Sequence, residues 1–256
     1  MNILIFVIIG FIIVFFSFTQ ISFNRLNFLQ RYFINHALIK WEKYINDLRK
    51  TEYAILDYGK LLDLLNFFER YLIKLILTIH PKAVGFNGPF YSLEKAENLI
   101  KVDSVLFGGK GTGRETGVQY CPEHSYKDFC KMCEAIKEET GKSIFIDSGY
   151  RSSGRQAYLF IYYLVKDNNY CLKENAKWIA LPGYSEHGSP INNAVDMVTE
   201  EGVNGFSENQ TAEDFELTLE YKWLIQNANK YNFYLSYPKD NKLGVAYEPW
   251  HWHWQK

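Results

Sequence analysis

The longest apolar run opens the chain. Residues 1–24 carry no charged side chain, and the stretch from Ile3 to Phe18 is almost wholly aliphatic or aromatic. About 20 apolar residues span a bilayer core as a helix. A cleaved secretory signal has a basic start, a shorter apolar stretch and a small-residue cleavage site, and none of these is evident. The pattern predicts an uncleaved transmembrane anchor over residues 1–24, with a cleaved signal segment as the second reading. A buried core helix is the weaker alternative, because the run has no polar face. Arg25, Arg31, Lys40 and Lys43 follow the run, and no Lys or Arg precedes it. Under the positive-inside rule, that bias puts the rest of the chain in the cytoplasm.

Residues 25–84 read as helical. Leu61, Leu62, Leu64, Leu65, Phe68, Leu72, Leu75 and Ile76 recur at spacings near three and four, with Asp63, Glu69, Arg70 and Lys74 between them. That periodicity predicts one amphipathic helix, ended by Pro81. A stalk or packing region between membrane and domain is the expectation. From residue 85 the texture changes. Helices are expected over 126–140, with Phe129, Cys133 and Ile136 on one face and Gly141 as the stop, over 154–165 and over 219–231. Short strands are expected over 143–147, 233–236 and 250–254. Helices interleaved with short strands predict an α+β domain over 85–256, a small antiparallel sheet with flanking helices.

Composition narrows the function classes. The chain has 256 residues, 47% of them hydrophobic, enough for a sizeable core. A net charge of -1 with no basic stripe argues against nucleic acid as a partner. Gly108, Gly109, Gly111 and Gly113 lack phosphate-loop spacing and read as a flexible loop. The pattern Cys121, His124, Cys130, Cys133 invites a structural metal reading. Its middle gap is short, however, and two of its cysteines fall inside a predicted helix, so buried thiols are preferred. A Cys121–Cys171 disulfide is the alternative should the domain lie outside the membrane.

Three segments concentrate reactive side chains. The run from Ser148 to Gln156 sits where a strand turns into a helix, and its Arg151 offers a guanidinium fork for a carboxylate or a developing oxyanion. The run from Pro182 to Gly188 carries Ser185, Glu186 and His187, and Ala194-Val195-Asp196 follows; His and Asp are both suitable zinc ligands. The third run is Glu248-Pro249-Trp250-His251-Trp252-His253-Trp254. On a strand His251 and His253 face the same way, so either or both could bind metal. A metal beside a carboxylate base is the minimum for water-driven amide hydrolysis. The bland alternative is an aromatic core strand carrying two polar residues.

Together with Trp223 to Ala228 and with Leu235-Ser236-Tyr237-Pro238, these runs resemble, in order, the VanY-type D-alanyl-D-alanine carboxypeptidases over roughly residues 125–254. The resemblance implies one Zn2+ held by His187, Asp196 and His251, Glu248 as general base and Arg151 as oxyanion or substrate contact. It places Gln156 and Ser185 near the substrate. It implies a peptidoglycan stem peptide ending in D-alanyl-D-alanine as partner, and so a domain facing the cell wall, against the charge bias. Two departures stand out. His187 to Asp196 spans nine positions where the family has seven, which predicts a bulge around Ser189 to Asn193, with Pro190 where Gly is common. His253 stands where the family often has Arg. A D,D-dipeptidase, a cross-link endopeptidase and an inactive peptidoglycan-binding module are the competing expectations. The intact Glu248 argues against the last.

Overall fold

The computed structural model describes residues 17–108, 113–207 and 209–256. The expected anchor lies outside the described residues as far as residue 16, as do Gly109, Lys110 and Gly111 of the glycine-rich loop. The last residues of that anchor do not continue an apolar helix, because Phe18 is buried in the helical core and residues 20–24 are not helical. Among the described residues, no helix is long and apolar enough to cross a membrane.

Reciprocal caps set the first helices. Asn27 accepts from the Gln30 amide at 3.0 Å while the Gln30 side chain accepts from the Asn27 amide at 3.1 Å, starting α1 (Phe28–Asn46). The stretch expected as one amphipathic helix is two, α2 (Tyr58–Asp63) and α3 (Phe67–Leu77). The break is chemical. The Asn66 side chain accepts from the Glu69 amide at 3.0 Å and the Glu69 carboxylate accepts from the Asn66 amide at 2.9 Å, so a new helix begins there. Ile34, Leu38, Trp41 and Ile45 of α1 and Leu72, Ile73 and Ile76 of α3 are fully buried. They share one hydrophobic cluster with Ala157, Phe160, Ile161 and Leu164, which lie further along the chain.

Two small antiparallel hairpins follow: β1 (Leu99–Val102) pairs with β4 (Gln119–Pro122), and β2 (Leu106–Phe107) with β3 (Arg114–Glu115). Helix α4 (Glu123–Thr140) ends at Gly141, whose φ of 72° is the left-handed C-terminal stop. Strand β5 (Ile144–Ser148) leads into α5 (Ser153–Lys166), the helix that carries Ala157 to Leu164, and a short α6 (Leu172–Asn175) follows. Then come β6 (Ala194–Thr199), α7 (Ala212–Glu216), α8 (Leu219–Asn227), β7 (Phe233–Leu235) and β8 (His251–Trp254). The end of the expected 219–231 helix is a separate 3-10 turn, Ala228–Tyr231.

One four-stranded antiparallel sheet, in the order β5-β6-β8-β7, organises the second half. All six residues of β6 are buried, as befits a central strand, and this is why simple polar–apolar alternation did not reveal it. Val195, Met197, Trp252 and Trp254 enter a second core with Met132 and Ile136 of α4. The four cysteines are free thiols, and the Cys171 thiol donates to the Phe23 carbonyl.

The helical layer meets the sheet where α5 begins. Ser152 donates from its hydroxyl to the Leu56 carbonyl at 2.7 Å and from its amide to the Ala54 carbonyl at 2.9 Å. Gly154 lies so close that a Cβ there would collide with the Leu56 carbonyl oxygen. Gly154→Ala is expected to cost about 1–3 kcal/mol, the usual range for overpacking. Urea unfolding measures it, and an unchanged midpoint would mean that this junction yields without strain.

Candidate active site

The sheet register builds the site. Asp196 on β6 stands directly opposite His251 on β8 and opposite Ser148 on β5. Side chains alternate along a strand, so these three share one face while Val195 and Trp252 go to the core on the other. A register irregularity between Ile146 and Ser148 marks Asp147 as a bulged residue at the same edge. His187 arrives on a 3-10 turn, Glu186–Gly188. The two extra residues before Asp196 are absorbed in a turn where the Asn192 amide donates to the Ser189 hydroxyl at 3.0 Å and Ile191 is exposed. The bulge therefore leaves Asp196 in place.

His187, Asp196 and His251 are buried, and their nearest ligand atoms all lie within 4.8 Å of one another. The His187 Nδ1 lies 2.8 Å from the Gly149 carbonyl oxygen. A carbonyl only accepts, so Nδ1 holds the proton and Nε2 carries the lone pair. That Nε2 is buried without a hydrogen bond and lies 3.1 Å from Asp196 Oδ2. A lone pair facing a carboxylate oxygen calls for a cation between them, so the donor set fits a metal ion. Asp196 Oδ1 lies 2.9 Å from His251 Nδ1, and Arg151 donates to Asp196 Oδ2. The far side of His251, Nε2, lies 2.9 Å from Glu186 Oε2. Tyr91 donates its hydroxyl to the other Glu186 oxygen at 2.9 Å. A carboxylate on the second nitrogen of a ligand histidine fixes its ring and raises its basicity.

Charge follows from this packing. Burial opposes a charged His251, yet the hydrogen bonds to Asp196 and Glu186 override it and push its pKa up to about 10. Burial and the Arg151 guanidinium take His187 down to about 4, so it is neutral. Burial also works against Asp196, but the Arg151 guanidinium and the His251 hydrogen bond hold its carboxyl well below the usual carboxylate range. Glu248 is buried with Oε2 at 3.6 Å from His251 Nδ1, and burial pushes it up to about 8.

Arg151, His187, Asp196, Glu248 and His251 line a cleft of about 490 Å³ that also takes in Gln156, Ser185, Tyr237 and Asp147. Gln156 donates to the Ala180 carbonyl at 2.7 Å and leaves its Oε1 buried without a partner. Arg151 is held by its Nε on the Ser148 hydroxyl at 2.8 Å. The seven residues singled out in the sequence thus meet in one cleft. His253 stays apart: its Nδ1 lies 2.9 Å from the Ser236 hydroxyl, outside the metal-capable group. His124 bonds the Ile191 carbonyl through Nε2 at 2.8 Å, and no cysteine belongs to a metal-capable group among the described residues. Sequence reasoning missed the roles of Glu186, Tyr91 and Tyr237, whose ring centre lies 4.6 Å from that of His251. Glu186 could have been flagged as an acid inside a histidine motif, whereas nothing in the sequence marks Tyr91.

Residues 119–256 match the profile of a family described as VanY, D-alanyl-D-alanine carboxypeptidase. The chain belongs to the VanY family. It is 40% identical over 126 residues to YodJ of Bacillus subtilis (strain 168), covering 47% of this chain and 41% of YodJ. It is 29% identical over 157 residues to the D-alanyl-D-alanine carboxypeptidase of Enterococcus faecium, covering 60% of this chain and 43% of that one. The chain therefore spans about two fifths of the length of these curated relatives. Among solved structures it is similar to the LdcB LD-carboxypeptidase, with a TM-score of 0.50 and 26% identity, over 68% of this chain and 77% of that one.

The electrostatics give a pH test. With no metal bound, His251 keeps its ring proton up to about pH 10. A metal must displace that proton to use Nδ1. Zinc affinity of the metal-free VanY-family chain is thus expected to rise about tenfold per pH unit between roughly pH 6 and 8, with about one proton released per ion. Calorimetry in buffers of different ionisation enthalpy reads both, and a pH-independent affinity would count against His251 as ligand.

Proposed function

We propose that this chain is a zinc-dependent carboxypeptidase that removes the terminal D-amino acid from peptidoglycan stem peptides, D-alanyl-D-alanine ends above all. The observation that carries this reading is the buried His187–Asp196–His251 group with Glu248 beside it in one cleft, in a chain of the VanY family. Zinc, when bound, supplies a Lewis acid that acidifies water and polarises the scissile carbonyl.

The protein's own groups do the rest. Glu248 takes a proton from the attacking water and passes it to the departing amine as the C–N bond breaks. Its burial suits that task, because a carboxyl raised toward neutral pH both accepts and returns a proton. Arg151 directs its planar guanidinium at the oxyanion, with Ser148 fixing its orientation. Gln156 and Ser185 hold the peptide: the unpaired Gln156 Oε1 is an acceptor waiting for a substrate N–H. A second reading changes only the bond cleaved. Similarity to an LD-carboxypeptidase favours release of D-alanine from an L,D bond in a shorter stem. The proposed domain division is a peptidase unit over 85–256 with residues 25–84 packed on it. The proposed location is the wall-facing side of the cell membrane, because the substrate lies there, with the apolar start of the chain as its attachment.

Mass spectrometry of stem tetra- and pentapeptides after incubation with the zinc-loaded protein separates these readings. Loss of one D-alanine from the pentapeptide supports the D,D reading, and loss from the tetrapeptide the L,D reading. Release of a dipeptide, or of nothing, overturns both. Glu248→Gln is expected to keep zinc and fold while kcat falls about 10²–10⁴-fold, the usual worth of a general base. Near wild-type kcat in that variant would place the proton carrier elsewhere.

A further inference from the structure

Arg155 has no evident task in the chemistry above. It lies in the first turn of α5, four positions after Arg151, which precedes the Ser152 cap of that helix, and both arginines line the same cleft. Its guanidinium carbon sits 3.3 Å above the centre of the Tyr53 ring. Tyr53 also carries the Arg49 guanidinium at 5.3 Å, so positive charge gathers on this wall. The Arg155 Nη1 is buried and makes no hydrogen bond. Among the described residues, no carboxylate forms an ion pair with it. The acids of the cleft are otherwise placed. Asp196 is paired with Arg151, Asp147 accepts from Asn204 at 2.8 Å, and Glu248 stands beside His251. Asp167 is twelve residues further along, roughly 18 Å of helix. Burial lowers the Arg155 pKa to about 10, the mark of a cation out of water and short of a partner.

We propose that Arg155, braced on Tyr53, receives a carboxylate of the bound peptide. The inference rests on the peptidase reading of the cleft. A guanidinium is a planar fork that matches a carboxylate with two parallel hydrogen bonds. Stacking on Tyr53 fixes its plane before the ligand arrives, which lowers the ordering cost of binding. Arg155 shares the cleft with Arg151, so it faces residues next to the scissile bond. Two carboxylates lie within one or two residues of a scissile carbonyl: the free C-terminus, and a side-chain carboxylate on a residue of the amino side.

Three synthetic pentapeptides separate these sources: one with a carboxylate on the third side chain, one with a carboxamide there, and one with its C-terminus amidated. The zinc-loaded wild type, Arg155→Gln and Arg155→Met are compared by kcat/KM on the first two peptides and by inhibition constant for the third. Both variants are expected to lose about 10–100-fold on peptides that carry the recognised carboxylate, the usual worth of a charge-assisted pair. They should lose less than threefold on the peptide from which that carboxylate is missing. A loss that follows the third side chain identifies the upstream source. A loss that is absent only for the amidated terminus identifies the C-terminal one. The peptide without the recognised group also reports that each variant is folded. Equal losses on all three peptides, or none on any, would overturn the proposal. If the wild type hydrolyses no peptide, the peptidase reading fails separately. Calorimetric binding of the same peptides to wild type and variants then decides the carboxylate site by the same pattern.

Discussion

The site depends on one buried carboxylate. Asp196 is a buried charge in a central strand, and burying it is tolerable because Arg151 and His251 both bond it. Arg151 donates to Oδ2, His251 meets Oδ1 at 2.9 Å, and His187 presents a lone pair to Oδ2 at 3.1 Å. The first two contacts are satisfied by the protein alone, while the third is not. A second cation is what would complete the set, which is why the same geometry is both a stable core feature and a metal-capable one. His251 meets Asp196 through Nδ1 and Glu186 through Nε2, each at 2.9 Å, so its charge balances these two carboxylates and leaves the His187 contact open.

Rigidity around that carboxylate comes from two sources. The antiparallel register puts His251 opposite Asp196 and sends the adjacent tryptophans into the core, so sliding either strand by one residue would turn the histidine away from the cleft. The helical layer braces the opposite wall. Ser152 bonds the Ala54 and Leu56 carbonyls, Gly154 sits against Leu56, and Tyr53 carries Arg155. Residues 25–84 therefore contribute to the cleft, because the chain before α2 supplies Tyr53 and Ala54 to its lining.

Much of this was legible in the sequence, and the failures have physical causes. The helices ending at Gly141 and starting near Ser153 were read from periodicity and from a glycine stop. The split between α2 and α3 was not, because Asn66 and Glu69 interrupt an unbroken leucine pattern through a capping box rather than through Gly or Pro. Strand β6 was hidden because burial on both faces erases alternation. His187, Asp196, His251 and Glu248 were found through motif resemblance, since their convergence is a matter of tertiary register that spacing alone does not reveal. Spacing left His251 and His253 equivalent, and the Ser236 hydroxyl accounts for His253. Tyr91 and Arg155 were out of reach, because one acts through a carboxylate nearly a hundred positions away and the other is defined by a partner it lacks.

Anomalous diffraction from zinc-soaked crystals at the zinc edge locates the ion that His187, Asp196 and His251 are proposed to hold. One peak is predicted, about 2.0–2.2 Å from His187 Nε2, from His251 Nδ1 and from a carboxylate oxygen of Asp196. A peak at His253, or at Cys121 with Cys130 and Cys133, with none at these three atoms, would contradict it.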